Sequence, residues 1–153
     1  MTESISAMLK RHEGKVTNVE GNHVVYDDAT GRPLRQGDTI IGHPTIGYGQ
    51  NVAGHGIPDW IADLLLYIEI RERTAKVRSH LYWFDDMPPA IQRVIINMSF
   101  QLGIDGLMKF RGVLGNMEKR DFAAAADGML NSLWARQTPA RVRELADIVL
   151  SHA

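Results

Sequence analysis

The apolar residues of this chain change their spacing once, and that change restricts the fold more than any other feature. From Lys15 to Tyr48 the strand-favouring residues come in short runs: Val16, Val19, Val24, Val25, Tyr26, Thr39, Ile40, Ile41, Thr45 and Ile46. Turn-forming clusters separate them, at Glu20-Gly21-Asn22, Thr30-Gly31-Arg32-Pro33 and Gln36-Gly37-Asp38. Such a pattern predicts a small antiparallel sheet of hairpins. From Pro58 onward the spacing turns helical. Pro58 suits the first turn of a long helix, and Asp59 lies near its positive end. Ile61, Leu64, Leu65, Ile68 and Ala75 predict a buried stripe reaching about Ser79. After Pro88-Pro89 a second helix carries Ile91, Val94, Ile95, Met98 and Leu102, and Gly103 is expected to stop it. Shorter helices are expected near 106–118 and 120–130. A last helix begins at Thr138-Pro139, where Thr can cap and Pro can lead. Ahead of the sheet, Ile5, Met8, Leu9 and His12 share one face of a helix over 4–12, which Gly14 ends.

Strands in the first third and helices elsewhere define an α+β arrangement. The chain has 153 residues, enough for one domain with a sizeable core. The expected division is a sheet lobe over about 14–57, a linking helix over about 58–79, and a helical lobe over about 80–153 joined by helix 4–12. A cleft between the lobes is the natural place for a ligand.

Composition removes several classes. With 44% apolar and 23% charged residues, disordered and collagen-like chains are excluded. The longest apolar run, Leu64-Leu65-Leu66-Tyr67-Ile68, is too short to span a bilayer. The start, MTESISAMLKRHEG, has no basic segment followed by an apolar one, so no signal peptide is expected and the protein is expected to stay in a cytoplasm. There is no cysteine, and the six histidines at 12, 23, 43, 55, 80 and 152 lack the spacing of a zinc hydrolase. Neither a metal nor a cofactor is expected. Net charge is −1 overall. Residues 108–143 carry seven Lys and Arg against three Asp and Glu, a net +4. That excess reads first as a solvated helical surface and second as a face for an anionic polymer, nucleic acid or cell wall. Met98, Met108, Met117 and Met129 suit core filling, and Trp60, Trp83 and Trp134 suit packing or a cleft edge.

Three places can carry chemistry. Glu13 ends the first helix in His12-Glu13-Gly14, where burial in a cleft would keep a carboxyl protonated for general-acid work; a solvated surface glutamate is the plainer alternative. Asp27 and Asp28 follow Tyr26 before a turn, and serve either as turn residues or as a carboxylate activating water opposite Glu13. Thr45-Ile46-Gly47-Tyr48-Gly49 is a strand ending in two glycines, too incomplete for a dinucleotide loop.

Together these pieces resemble the phage-type lysozymes. Met8-Leu9-Lys10-Arg11-His12-Glu13-Gly14 looks like that family's helix ending in Glu-Gly. Tyr26-Asp27-Asp28-Ala29-Thr30-Gly31 and Thr45-Ile46-Gly47-Tyr48-Gly49 look like its Tyr-x-Asp-x-x-Gly and Thr-x-Gly-x-Gly segments. Arg93 to Gly103, Phe110, Trp134 and Gln137-Thr138-Pro139-Ala140-Arg141 match its helical lobe in order and approximate spacing. The resemblance implies a lysozyme-like fold and a muramidase, an endolysin cutting the β-1,4 bond between N-acetylmuramic acid and N-acetylglucosamine in peptidoglycan for host lysis. It implies Glu13 as general acid, Asp28 as base or electrostatic stabiliser, and Thr45 as the residue that positions water, with inversion at the anomeric carbon. It places Arg141 at the cleft as partner of Glu13, and Gln101 and Asn97 near the cleft floor. A phage origin implies retention in the host cytoplasm until release to the wall. The expected partner is the glycan strand, for a monomer with no nucleic-acid partner and no membrane insertion. A lytic transglycosylase and a non-catalytic wall-binding module are the other readings. The departure lies in the sheet lobe: Glu13 and Asp28 are 15 positions apart, and Asp28 and Thr45 are 17 apart. The family has about nine and about six, so longer hairpin tips are expected on preserved strand bases.

Overall fold

The structure is a computed structural model that describes residues 4–153. The chain divides after Asp63 into two compact units.

The first unit opens with α1 (Ile5–Glu13), capped by the Ser4 hydroxyl, which accepts the Ala7 N–H at 3.2 Å. Four short strands follow: β1 (Tyr26–Asp27), β2 (Arg32–Pro33), β3 (Pro44–Ile46) and β4 (Gln50–Asn51). All pair antiparallel, in the order β2-β1-β3-β4. Tyr26 stands opposite Pro33 on one side and Thr45 on the other, and Thr45 stands opposite Asn51. A one-turn helix, α2 (Val52–His55), closes the unit; the Asn51 side chain caps it by accepting the Gly54 N–H at 2.7 Å.

The small antiparallel sheet is as expected, but its strands are shorter. Between Val16 and Val25 the only pairing of strand type is the bridge of Thr17 with His23, and Val19 is fully exposed. Thr39-Ile40-Ile41 is irregular. The Ile41 N–H leaves the ladder because it donates to the Asp27 carboxylate at 2.7 Å. An apolar run makes a strand only where its backbone groups find a neighbouring ladder.

The second helix of any length, α3 (Asp59–His80), carries the point of division. Its expected buried stripe is corrected by the structure: Leu64, Leu65 and Ile68 are exposed, and Val77 is its only buried residue. Packing starts lower down the helix. There the Arg73 guanidinium donates to the Ser99 carbonyl at 2.8 Å and lies 4.6 Å from the Phe100 ring centroid. Trp60 is exposed as well.

The second unit is helical. A 3₁₀ turn (Phe84–Asp86) precedes α4 (Pro89–Met108), which breaks at Gly103 as its sequence predicts. Then come α5 (Arg111–Glu118), α6 (Phe122–Leu130), α7 (Leu133–Gln137) and α8 (Pro139–Leu150). The core joins Ile91, Val94, Ile95 and Met98 of α4 to Val113 and Met117 of α5, Met129 of α6, Trp134 of α7 and Val142 and Val149 of α8. Leading Pro139 fits, but the Thr138 hydroxyl does not cap α8. It donates instead to the Trp134 carbonyl at 3.3 Å, inside a polar cluster described below.

Candidate functional site

The expected site residues fall into two sets, one per unit. In the first unit, Glu13 is the last residue of α1. Its carboxylate lies against the backbone of the β3–β4 turn: a Cβ placed on Gly49 would stand 3.2 Å from Glu13 Oε2. Gly49 also has φ +90°, a conformation that side chains with a Cβ rarely adopt. Between them, Gly47 and Gly49 flank Tyr48, whose ring lies 5.5 Å from Lys10 Nζ of α1 and meets the His23 ring edge-on at 5.2 Å. Tyr48 thus ties the end of α1 to the hairpin that carries Thr45. Within this unit Glu13 is exposed, so the burial anticipated from its place in the sequence is absent there.

The two adjacent aspartates do different work. Asp27 is buried, with 2% of its surface exposed. Its Oδ2 accepts the Ile41 N–H at 2.7 Å, and its Oδ1 accepts those of Gly42 and Ala29 at 3.0 and 2.9 Å. The Ile41 N–H above all, helped by Gly42 and Ala29, holds the Asp27 carboxyl below the usual carboxylate range against the opposing effect of burial. A carboxylate saturated by backbone donors is a fastening, and this one pins the loop after β2 onto β1.

Asp28 is exposed and continues the ladder by one residue, its N–H donating to the His43 carbonyl at 3.1 Å. The return bond comes from the His43 N–H to Asp28 Oδ1 at 2.6 Å, so the carboxylate takes the place of a main-chain acceptor. The His43 ring adds Nδ1 at 3.4 Å from Asp28 Oδ2. In this register Tyr26, Asp28, His43 and Thr45 share one face of the sheet and Asp27 lies on the other, because neighbours along a strand alternate.

Thr45 is buried between β1 and β4, and its hydroxyl donates to the His43 carbonyl at 3.1 Å. Its single proton is thereby spent, which leaves its lone pairs to accept from a donor such as water. Gly42 makes the arrangement possible. A Cβ there would stand 2.1 Å from Asp28 Oδ1 and 2.8 Å from the Ala29 nitrogen. Neither Gly42 nor His43 was marked by spacing in the sequence, since both reach Asp28 across a loop.

In the second unit Arg141 of α8 donates through Nε to Asn97 Oδ1 at 2.9 Å and through a terminal nitrogen to Gln101 Oε1 at 3.4 Å. The same Gln101 oxygen accepts Trp134 Nε1–H at 2.8 Å. Arg141, Asn97 and Gln101 are therefore brought together within the second unit, where Arg141 bonds to these two amides; its expected partner, Glu13, belongs to the first unit. Asn97 and Arg141 line a cavity of about 620 Å³, with Leu66, Ile70 and Phe100 among its apolar walls. Among the described residues no group of three or more His, Asp or Glu is placed to hold a metal ion, and no helix is long and apolar enough to cross a membrane.

No family model matches the chain. One curated protein, a probable T4-type lysozyme 1 of Dictyostelium discoideum, is 38% identical over 55 residues. That stretch is 36% of this chain and 32% of the other protein, so the chain spans about a third of the length of the relative it matches. The likeness is to a T4-type lysozyme and is confined to part of the chain, which is an α+β chain with a small four-stranded antiparallel sheet.

Proposed function

We propose that this chain is a glycoside hydrolase of lysozyme-like fold, a muramidase that hydrolyses the β-1,4 bond between N-acetylmuramic acid and N-acetylglucosamine in peptidoglycan. The observation that carries the reading is the pair Asp28 and Thr45 on one face of the sheet, with the Glu13 carboxylate lying against the hairpin that bears Thr45. The name of the partial relative, a T4-type lysozyme, supports it. Glycoside hydrolysis needs one carboxylic acid to protonate the departing oxygen and one carboxylate to serve the incoming water. Glu13 takes the first role. Asp28 takes the second, because Asp27 is committed to three backbone donors.

Thr45 accepts a hydrogen bond from the water and turns its oxygen toward the sugar. Water attacking the face opposite the leaving group inverts the anomeric carbon. A water-holding pair favours hydrolysis over transglycosylation, which uses no water. Arg141, Asn97 and Gln101 serve as supporting residues in a single catalytic domain. The enzyme acts as a monomer on glycan strands, and as a phage endolysin it waits in the host cytoplasm for release to the wall. A turbidity assay on permeabilised bacteria tests the reading. Clearing that depends on added protein is expected, and no clearing across bacteria of several wall types would rule it out.

A further inference from the structure

The long loop between Asp28 and Thr45 builds a second cavity that the catalytic reading leaves unused. It holds about 420 Å³ and lies wholly within the first unit, with Asp27, Thr30, Arg32, Arg35, Asp38 and Thr39 in its lining. That size suits one or two amino-acid residues. Pro33, Leu34 and Ile41 give the cavity an apolar part, and its polar part is braced. The Arg35 N–H donates to Asp38 Oδ2 at 2.8 Å, and the Asp38 N–H returns to the Arg35 carbonyl at 3.1 Å. The Arg32 N–H donates to Thr30 Oγ1 at 3.3 Å, and Leu34 N–H to the Val25 carbonyl at 2.9 Å.

The two acids of the lining already have donors. Asp27 accepts three backbone N–H groups, and Asp38 accepts one. The two guanidinium groups have none: among the described residues the Arg32 and Arg35 side chains make no ion pair and no hydrogen bond. Two unpartnered arginines at a cavity are the natural receptors for an anion, and the planar fork of each matches a carboxylate. The nearby Asp38 favours a singly charged ligand over a doubly charged phosphate, since two positive charges face two negative ones. Position adds a further argument. Arg32 belongs to β2, the edge strand, and Asp27 of the lining is next in the chain to Asp28. A branch of a polymer seated at Asp28 needs only to pass the sheet edge to reach this cavity.

We infer that the cavity is a carboxylate subsite, in which Arg32 and Arg35 bind the free carboxyl end of a peptide branch on the wall polymer. The anion preference rests on the cavity itself; the identity of the ligand as a wall peptide rests on the muramidase reading. The chain would then read the peptide of its substrate as well as the glycan.

The test is a backbone amide NMR titration of the full chain with three probes: acetyl-D-alanyl-D-alanine, its C-terminal amide, and inorganic phosphate. The free acid is expected to shift resonances within residues 30–41. Loss of the charge-assisted bond should weaken the amide by about tenfold or more. Arg32→Gln/Arg35→Gln should weaken the acid likewise. The acid–amide comparison on the unsubstituted chain decides the matter even if that double variant folds poorly. Equal binding of acid and amide, shifts confined to other residues, or no shift at millimolar concentrations overturns the subsite. Tighter binding of phosphate at the same residues overturns the peptide assignment. Binding is read without catalysis, so a chain that binds the acid but cuts no glycan sinks the muramidase reading alone. On peptide-free glycan strands the double variant should cut as fast as the parent chain.

Discussion

Each of the two units is held together internally by different physics. In the second, burial is almost entirely apolar: α4, α5, α6 and α8 contribute side chains of Ile, Leu, Val, Met and Ala, and Ser99 is the one buried polar residue among those described. In the first, the buried residues are Tyr26, Asp27 and Thr45, two of them polar. Small domains with little apolar core need other fastenings, and here these are side-chain bonds to backbone. Asp27 pins one loop, Asp28 ends a ladder and Asn51 caps a helix. Polar fastenings are directional, so they fix the placement of particular atoms, whereas apolar packing fixes shape and stability. The residues proposed for chemistry sit in the unit of the first kind.

The comparison breaks most visibly through activity. Glu13→Gln keeps the size of the side chain and the contact with Gly49 but cannot deliver a proton. General-acid catalysis is worth about 10²–10⁴-fold. Lysis should fall by that factor with an unchanged melting temperature. Retention of more than half the activity would remove Glu13 from the mechanism. Next in size is the apolar unit. Ile95 is fully buried, so Ile95→Ala should cost about 2–5 kcal/mol, read from urea unfolding. A cost below 1 kcal/mol, in the range of surface changes, would mean that this core is not packed as described.

In the polar unit Gly42→Ala forces a methyl group onto the Asp28 carboxylate and the Ala29 backbone. Overpacking of this kind typically costs about 1–3 kcal/mol. Because Asp28 must move, activity should drop even where the chain remains folded, and a variant with full activity would show that Asp28 has no fixed position to lose. The smallest effect is one of pH. Asp27 has its carboxyl held below its ordinary value of 3.8. Its stabilising contribution is therefore full above that value and is lost as pH falls below it, through the folded-state value. Asp27→Asn should lower the melting temperature near neutral pH, and the gap between variant and parent should close in acid. Asp28→Asn should do the reverse of this: little change in melting temperature and a severe loss of lysis. If Asp27→Asn were the inactive and Asp28→Asn the active variant, the two roles would have to be exchanged.

Much of this was legible in the sequence, and the reasons differ by region. The helical unit could be read from periodicity, because α4 buries the Ile91, Val94, Ile95 and Met98 spacing that marks it. The break at Gly103 also followed from residue type. The stripe on α3 misled, since Leu64 and Leu65 have helical spacing but stay exposed. Spacing shows which residues share a face, not what covers it. Asp28 is separable from Asp27 through the resemblance alone, by its place two residues after Tyr26 and three before Gly31. The difference in their surroundings, three backbone donors on a buried Asp27 and an exposed Asp28, comes from a loop that closes far along the chain. Two things were not legible. Thr39-Ile40-Ile41 has strand composition, yet its backbone donor goes to a side chain 14 positions earlier. The Arg32 and Arg35 cavity depends on that same fold-back, and no local pattern encodes a bond across so long a loop.

The central claim is that this chain adds water to a glycosidic bond of the wall. Mass spectrometry of soluble fragments from purified peptidoglycan tests it most directly. Each cut should yield a fragment with a reducing N-acetylmuramic acid end and the mass of one added water, absent from digests with Glu13→Gln. Fragments ending in an anhydro sugar, lighter by one water, would contradict the account by showing cleavage without the water that Asp28 and Thr45 are assigned to hold.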